Sequence, residues 1–171
     1  MQTYTGVGSR SAPRHVLNLI ERMAEALAED RWVCRTGHAP GADQAFERGA
    51  GHRAEVYLPW PKFEQAAPLT ARTVVDCPTG EALEIAARFH PAWDALSRGA
   101  RMLHGRNAHQ VLGLYLDRPS DMLVCWTPEG SGDGGTGQAI RIAEVYGVPV
   151  YDLGDAATYE KIAGRYVPVA V

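Results

Sequence analysis

The sequence predicts an α/β domain built on an open, mostly parallel sheet of five strands, and three observations lead there. Short β-prone runs alternate with segments of helical period along most of the chain, the order that parallel βαβ units require. Three of those runs end in glycine-bearing loops, after residues 5, 36 and 126. The third loop joins an apolar strand, Asp121–Trp126, to an amphipathic helix through the turn Gly134-Gly-Thr-Gly137.

Taken in order, Gln2–Thr5 is short and β-prone and runs into Gly6-Val-Gly-Ser-Arg10. Ser11 is placed to cap a helix and Pro13 suits its first turn. Val16, Leu17, Leu19, Ile20, Met23, Ala24 and Leu27 then form the apolar stripe of a helix ending near Asp30. Arg31–Thr36 reads as the second strand, followed by Gly37-His-Ala-Pro-Gly-Ala-Asp43 and a short helix through Arg48. Ala54–Leu58 is the third strand, stopped by Pro59-Trp-Pro61.

From about 61 to 101 the alternation lapses, and this stretch is expected to be a helical insertion within one domain spanning 1–171. Glu81–Phe89 has helical period, His90-Pro-Ala-Trp93 breaks it before another short helix, and His104–Leu116 follows as a further helix. The fourth strand follows, and then Thr127–Gly134, a loop of Gly, Ser and Asp with little to bury. Gln138–Tyr146 carries apolar residues at 139, 140, 142, 143, 145 and 146. Val148–Tyr151 is the last strand and Ala156–Ala163 a terminal helix.

Composition narrows the function classes. The chain has 171 residues, 46% of them hydrophobic and 22% charged, with a net charge of −3. Coating nucleic acid needs a basic surface, which this balance does not supply. Of the three cysteines, Cys34 and Cys125 fall in core strands and Cys77 does not, and no CxxC spacing occurs. Free thiols in a reducing compartment are the expectation. No apolar run approaches the ~20 residues that cross a bilayer, and no charged leader precedes an apolar segment. A cytoplasmic protein without membrane contact is expected, with no metal and no cofactor.

The candidate site residues lie at the strand ends. A strand that passes through a glycine turn into a helix points unpaired N–H groups, and about half a positive charge, at whatever binds there. Gly134, Gly135, Thr136 and Gly137 would therefore receive a phosphate or carboxylate. Gly6 and Gly8 allow close backbone approach, Ser9 offers a hydroxyl, and Arg10 can hold a phosphate through two hydrogen bonds. If the first and fourth strands are neighbours, these two loops face each other across the point where strand order reverses. Gly37 and Gly41 permit unusual backbone geometry, and Asp43 either meets the ligand or serves the dipole of its own helix. His38 either reaches the crevice or is a solvated loop histidine.

Arg98, Arg101, His104, Arg106 and His109 form a positive stretch without an acidic residue. It is either a solvated helical face or a phosphate clamp in which Arg106 and Asn107 close on the crevice. Asp133 and Glu129 are the loop carboxylates nearest the glycine turn, and the candidates for acid–base chemistry at a ribosyl bond. Trp93 and Trp126 are either core residues or platforms for a base. The GxxxxGK[ST] phosphate loop is missing, as is the third glycine of a dinucleotide fingerprint.

Together these segments resemble the SLOG superfamily, which includes DNA-processing protein A and the lysine-decarboxylase-like phosphoribohydrolases. Gly6-Val-Gly-Ser-Arg10 is similar to its first glycine loop, and Thr36–Asp43 resembles the SGxARGxD segment of DNA-processing protein A. Arg106-Asn107 matches an Arg-Asn pair, and Gly134–Ala139 falls at the small-residue turn that opens a helix. His90-Pro-Ala-Trp93 and Cys125-Trp-Thr-Pro128 add a likeness to a compact subgroup often carried by bacteriophages. The resemblance implies a Rossmann-like sheet of order 3-2-1-4-5 and a nucleotide-type ligand in the crevice, sensed or sequestered there. It also implies a homodimer, as related proteins commonly pair. Two further activities come with it: cleavage of the N-glycosidic bond of nucleoside monophosphates, and single-stranded DNA binding in recombination. The hydrolases carry PGGxGTxxE, and Gln138 stands here near the position of their glutamate, where a neutral amide cannot act as that base.

Overall fold

The computed structural model describes residues 1–64 and 72–166. Its sheet contains β1 (Thr3–Gly8), β2 (Val33–Thr36), β3 (Ala54–Tyr57), β4 (Arg72–Val75), β5 (Met122–Trp126) and β6 (Val150–Asp152). All pairings among them are parallel, in the order β4-β3-β2-β1-β5-β6. The five expected strands therefore stand in the expected order, 3-2-1-4-5, and a sixth strand lies beyond the third. That strand comes from the 61–101 stretch, so the insertion is not wholly helical; residues 65–71 of it lie outside the described residues. Leu58 N–H donates to Val75 O at 2.8 Å, which continues the ladder at the β3–β4 edge.

Helices α1 (Arg14–Glu29), α2 (Ala42–Ala50) and α6 (Ala156–Tyr166) cover one face of the sheet. The other face carries α3 (Gly80–Arg88), α4 (Arg98–Leu112) and α5 (Gly134–Val145). The period-2 geometry of a strand assigns side chains to the two layers. Tyr4 of β1 packs with Ile20, Met23 and Phe46, while Val7 packs with Val111, Leu112 and Ile142 on the opposite side. In β5, Val124 belongs to the first cluster, and Leu123 and Cys125 to the second.

Several boundaries differ from expectation for local reasons. Pro13, with extended backbone, occupies the N-cap position of α1, and no side chain caps that helix. Ser11 instead pairs with Ser9, their hydroxyls 2.8 Å apart. Helix α4 begins six residues earlier than the apolar period indicates, because the Ser97 hydroxyl accepts from Ala100 N–H at 3.2 Å. It ends at Leu112, where Gly113 takes a left-handed φ of 84°. The terminal helix runs to Tyr166. Among the described residues, no helix is long and apolar enough to cross a membrane.

Candidate functional site

Strand β1 lies between β2 and β5, so the chain departs to one side through α1 and returns to the other only after α4. This is the switch point at which loops on the two sides diverge and leave a crevice. Gly8 is in register with Trp126, and Ser9 N–H donates to Trp126 O at 3.1 Å. Beyond that bond the two loops separate around a cleft of about 490 Å³. Among the expected residues, Gly8, Ser9, Arg10, Asp43, Arg106, Asn107, Asp133, Gly134, Gly135 and Thr136 line it.

The glycines divide by what opposes them. A Cβ on Gly6 would sit 2.5 Å from the Phe46 ring, and one on Gly8 would sit 2.6 Å from Ala42 Cβ. Both therefore let α2 settle on β1, and Gly6 does not reach the cleft. Gly41, at φ 87°, starts α2, and a Cβ there would meet the Arg10 backbone at 2.8 Å. A Cβ on Gly37 would strike the Arg106 guanidinium at 2.6 Å. Gly137 lies against Gly132 O and closes the loop. A Cβ on Gly134 or Gly135 would meet nothing within 4 Å, and both residues line the cleft.

Helix α5 thus begins at Gly134, with the glycine turn as its first turn rather than a preceding loop. Asp133 takes the N-cap position without making a side-chain capping bond. The first N–H groups of a helix have no partner within it, and here they open on the cleft. The loop before them is pinned more firmly than its composition indicates. Thr127 is fully buried, its hydroxyl donates to Asp152 and its N–H donates to the same carboxylate at 2.9 Å. Thr127 Oγ1 in turn accepts from Gly132 N–H at 3.0 Å. Glu129, at φ 56°, is exposed and lies outside the cleft lining.

The opposite wall is a buried polar network. Asp43 is 2% exposed, and the backbone N–H groups of Ala39, Gly8 and Gly37 favour its charged form. Burial raises its pKa, and Arg106 with those backbone donors pulls it back down. Arg106 Nη1 donates to Gly37 O at 2.8 Å, and its Nη2 lies 3.9 Å from Asp43 Oδ2. Burial lowers the Arg106 pKa and the Asp43 charge opposes that shift. Asn107 Nδ2 donates to Gly135 O and to Gln138 Oε1, each at 3.1 Å. Gln138 Nε2 donates to Ala86 O at 3.2 Å, so this fully buried amide ties α5 to α3 and α4.

The positive stretch therefore divides. Arg106 and His104 line the cleft, whereas His109 is buried and stacked on Tyr57 with 5.8 Å between ring centroids. Arg101 lies over Trp93 at 5.6 Å and donates to Asp94 O. His38 is buried and paired with Glu47 at 2.5 Å. Neither Trp93 nor Trp126 lines the cleft.

Sequence reasoning left the apolar wall unnoticed: Val7, Ala39, Ala100, Leu103, Pro128 and Ala139. A signal was present, because Ala100, Leu103, His104 and Asn107 are spaced i, i+3, i+4, i+7 along α4. Starting that helix at His104 cut the stripe in two. His104 itself has its pKa lowered by burial first and by His90 next, their rings 4.5 Å apart.

Comparisons with known proteins place the fold. No family model matches the chain, and no curated protein matches it in sequence. Among solved structures, it is similar to the Moco carrier protein of Chlamydomonas rheinhardtii, at 18% identity and a TM-score of 0.54. That match covers 100% of this chain and 90% of the other. It is also similar to DNA processing protein A from Helicobacter pylori, a single-stranded DNA-binding protein, at 14% identity and a TM-score of 0.53. Here 96% of this chain and 72% of the other are covered. At such identities the likeness concerns the Rossmann-like fold alone.

Proposed function

We propose that this SLOG-type domain binds a nucleotide or nucleotide-derived phosphorylated ligand in the cleft, so as to sense or sequester it. The observation that carries the reading is the open first turn of α5, where Gly134 and Gly135 present bare backbone to a cavity. A phosphate there would meet N–H donors and the positive end of the helix dipole. Ser9 and Arg10 line the same cleft, and among the described residues Arg10 makes an ion pair to Glu64 at 3.6 Å. A cleft of about 490 Å³ lies in the range of small-molecule sites.

A thermal-shift screen tests this with nucleoside mono-, di- and triphosphates, ADP-ribose, cyclic dinucleotides and short single-stranded DNA. A ligand at a hundredfold excess over Kd stabilises by about 2.7 kcal/mol, or roughly 5–10 °C for a chain of this size. Arg10→Ala should weaken the responding ligand about tenfold, the loss of one charge-assisted hydrogen bond. Absence of any shift would overturn the reading.

Two other activities have one observation each. Likeness to DNA processing protein A favours single-stranded DNA binding, which would fade steeply with added salt through counterion release. Asp133 in the cleft favours N-glycosidic cleavage, and release of free base that persists in Asp133→Asn would rule out that residue. Gln138 offers no acid–base group, since both ends of its amide hold other elements.

A further inference from the structure

The loop that leads into α5 is held by a carboxylate that does not line the cleft. Asp152 ends β6, in register with Cys125 of β5, and receives three donors. Thr127 N–H and Gly154 N–H each donate to its Oδ1 at 2.9 Å, and the Thr127 hydroxyl donates to its Oδ2. A hydroxyl has one hydrogen to give and lone pairs to accept with. Thr127 gives its hydrogen to Asp152 and accepts from Gly132 N–H at 3.0 Å. An ionised carboxylate only accepts, so it fixes the direction of the chain from Gly132 through Thr127 to Asp152.

The loop depends on such a brace. Glu129, Gly130, Gly132 and Gly134 all take left-handed φ, between 56° and 69°. Glycine enters that region freely and leaves it as freely, so the loop keeps one conformation only through outside partners. Gly132 is held by Thr127 and also lies against Gly137 in the first turn of α5. Its position therefore sets where the N–H groups of Gly134 and Gly135 stand. Donors already in place bind a ligand without the cost of ordering them.

Resting on the phosphate placement above, we propose that Asp152 is a positioning residue for the cleft: acting through Thr127, it preorganises the α5 turn for an anion that it does not touch. The sign of one substitution separates this role from simple electrostatics. Removing a negative charge near an anion site strengthens binding by Coulomb's law. Asp152→Asn should weaken it, because the new amide sets a donor against donors and the chain to Gly132 breaks.

Titration with inorganic pyrophosphate, followed by the amide NMR signals of Gly134 and Gly135, tests this. Asp152→Asn should lower the affinity at least about tenfold, the lower end of what partners one step behind a bound metal contribute. Thr127→Val should do the same, whereas Thr127→Ser, which keeps the hydroxyl, should bind like the wild type. In the wild-type protein the Gly132 amide should exchange with solvent more slowly than those of Gly134 and Gly135, and Thr127→Val should erase that difference. Unchanged or raised affinity in Asp152→Asn would overturn the positioning role and leave the phosphate placement standing. A serine variant as weak as the valine variant would also overturn it. If the variants do not fold, a wild-type Gly132 amide that exchanges as fast as that of Gly135 would overturn it alone. No response to pyrophosphate at Gly134 and Gly135 of the wild type would overturn the phosphate placement itself, and the positioning role with it.

Discussion

Gly135→Ala separates the two properties that the first turn of α5 combines. Gly135 lies in helical backbone without a positive φ, and an added Cβ would meet nothing within 4 Å. Replacing glycine by alanine at a compatible position stabilises by about 0.4–1 kcal/mol, chiefly by restricting the unfolded chain. For a chain of this length that corresponds to about 1–4 °C in Tm. The same methyl group projects into the space where a phosphate would approach the α5 N–H groups, and should weaken binding tenfold or more. Gly137→Ala is the contrasting variant. Its Cβ would overlap Gly132 O, so the loop must move, and it should destabilise by about 2–3 kcal/mol. Urea denaturation and ligand titration on both variants read the two effects independently. A Gly135→Ala protein destabilised by more than ~1 kcal/mol would refute the open geometry. Unchanged affinity in a stable variant would refute the phosphate placement.

Three further outcomes are expected. Gly6→Ala should destabilise by about 1–3 kcal/mol through overpacking on Phe46, and adding Phe46→Leu should recover part of that loss; no recovery would show that the collision lies elsewhere. In the native protein a disulfide reagent should modify Cys77 alone, because Cys34 and Cys125 are buried with raised pKa values; rapid modification of a second thiol would contradict this. Stability should fall as pH drops below about 6.5, since burial lowers the pKa of His104 and His109 from that value. The unfolded chain then binds more protons within the window, and the contribution is complete above it. Asp43, raised from 3.8, acts in the opposite sense and gains stability as pH falls toward that value. Urea midpoints that stay flat between pH 7.5 and 5.5, or a decline not blunted by His109→Gln, would refute the assignment to these histidines.

Much of the fold was legible because it rests on local pattern. The stripe from Val16 to Leu27 specifies a helix with one buried face, and Val16, Leu19, Ile20, Met23, Ala24 and Leu27 are all buried. Glycine loops after the first and fourth strands identified the switch point, because turn chemistry is written in neighbouring residues. The edge strand Arg72–Val75 was not legible: four residues without alternation acquire β structure only by pairing with β3.

What each glycine does was decided by tertiary structure. Gly6, Gly8, Gly134 and Gly135 look equivalent in the sequence, as small residues at the ends of strands or the start of a helix. Phe46 and Ala42, more than thirty residues away, occupy the space beside the first pair, and nothing occupies the space beside the second. The roles of Arg106 and Gln138 were settled in the same way. A guanidinium or an amide carries several hydrogen-bonding groups in every sequence, but its partners depend on which elements converge on it. For Arg106 these are Gly37 and Asp43; for Gln138 they are Asn107 and Ala86. Sequence alone therefore determined five of the six strands, their order and the position of the switch point, through periodicity and turn chemistry. Only the packing of α2 and α4 on the sheet decided which polar groups face the crevice there, because burial and hydrogen-bond partners are set by residues distant along the chain.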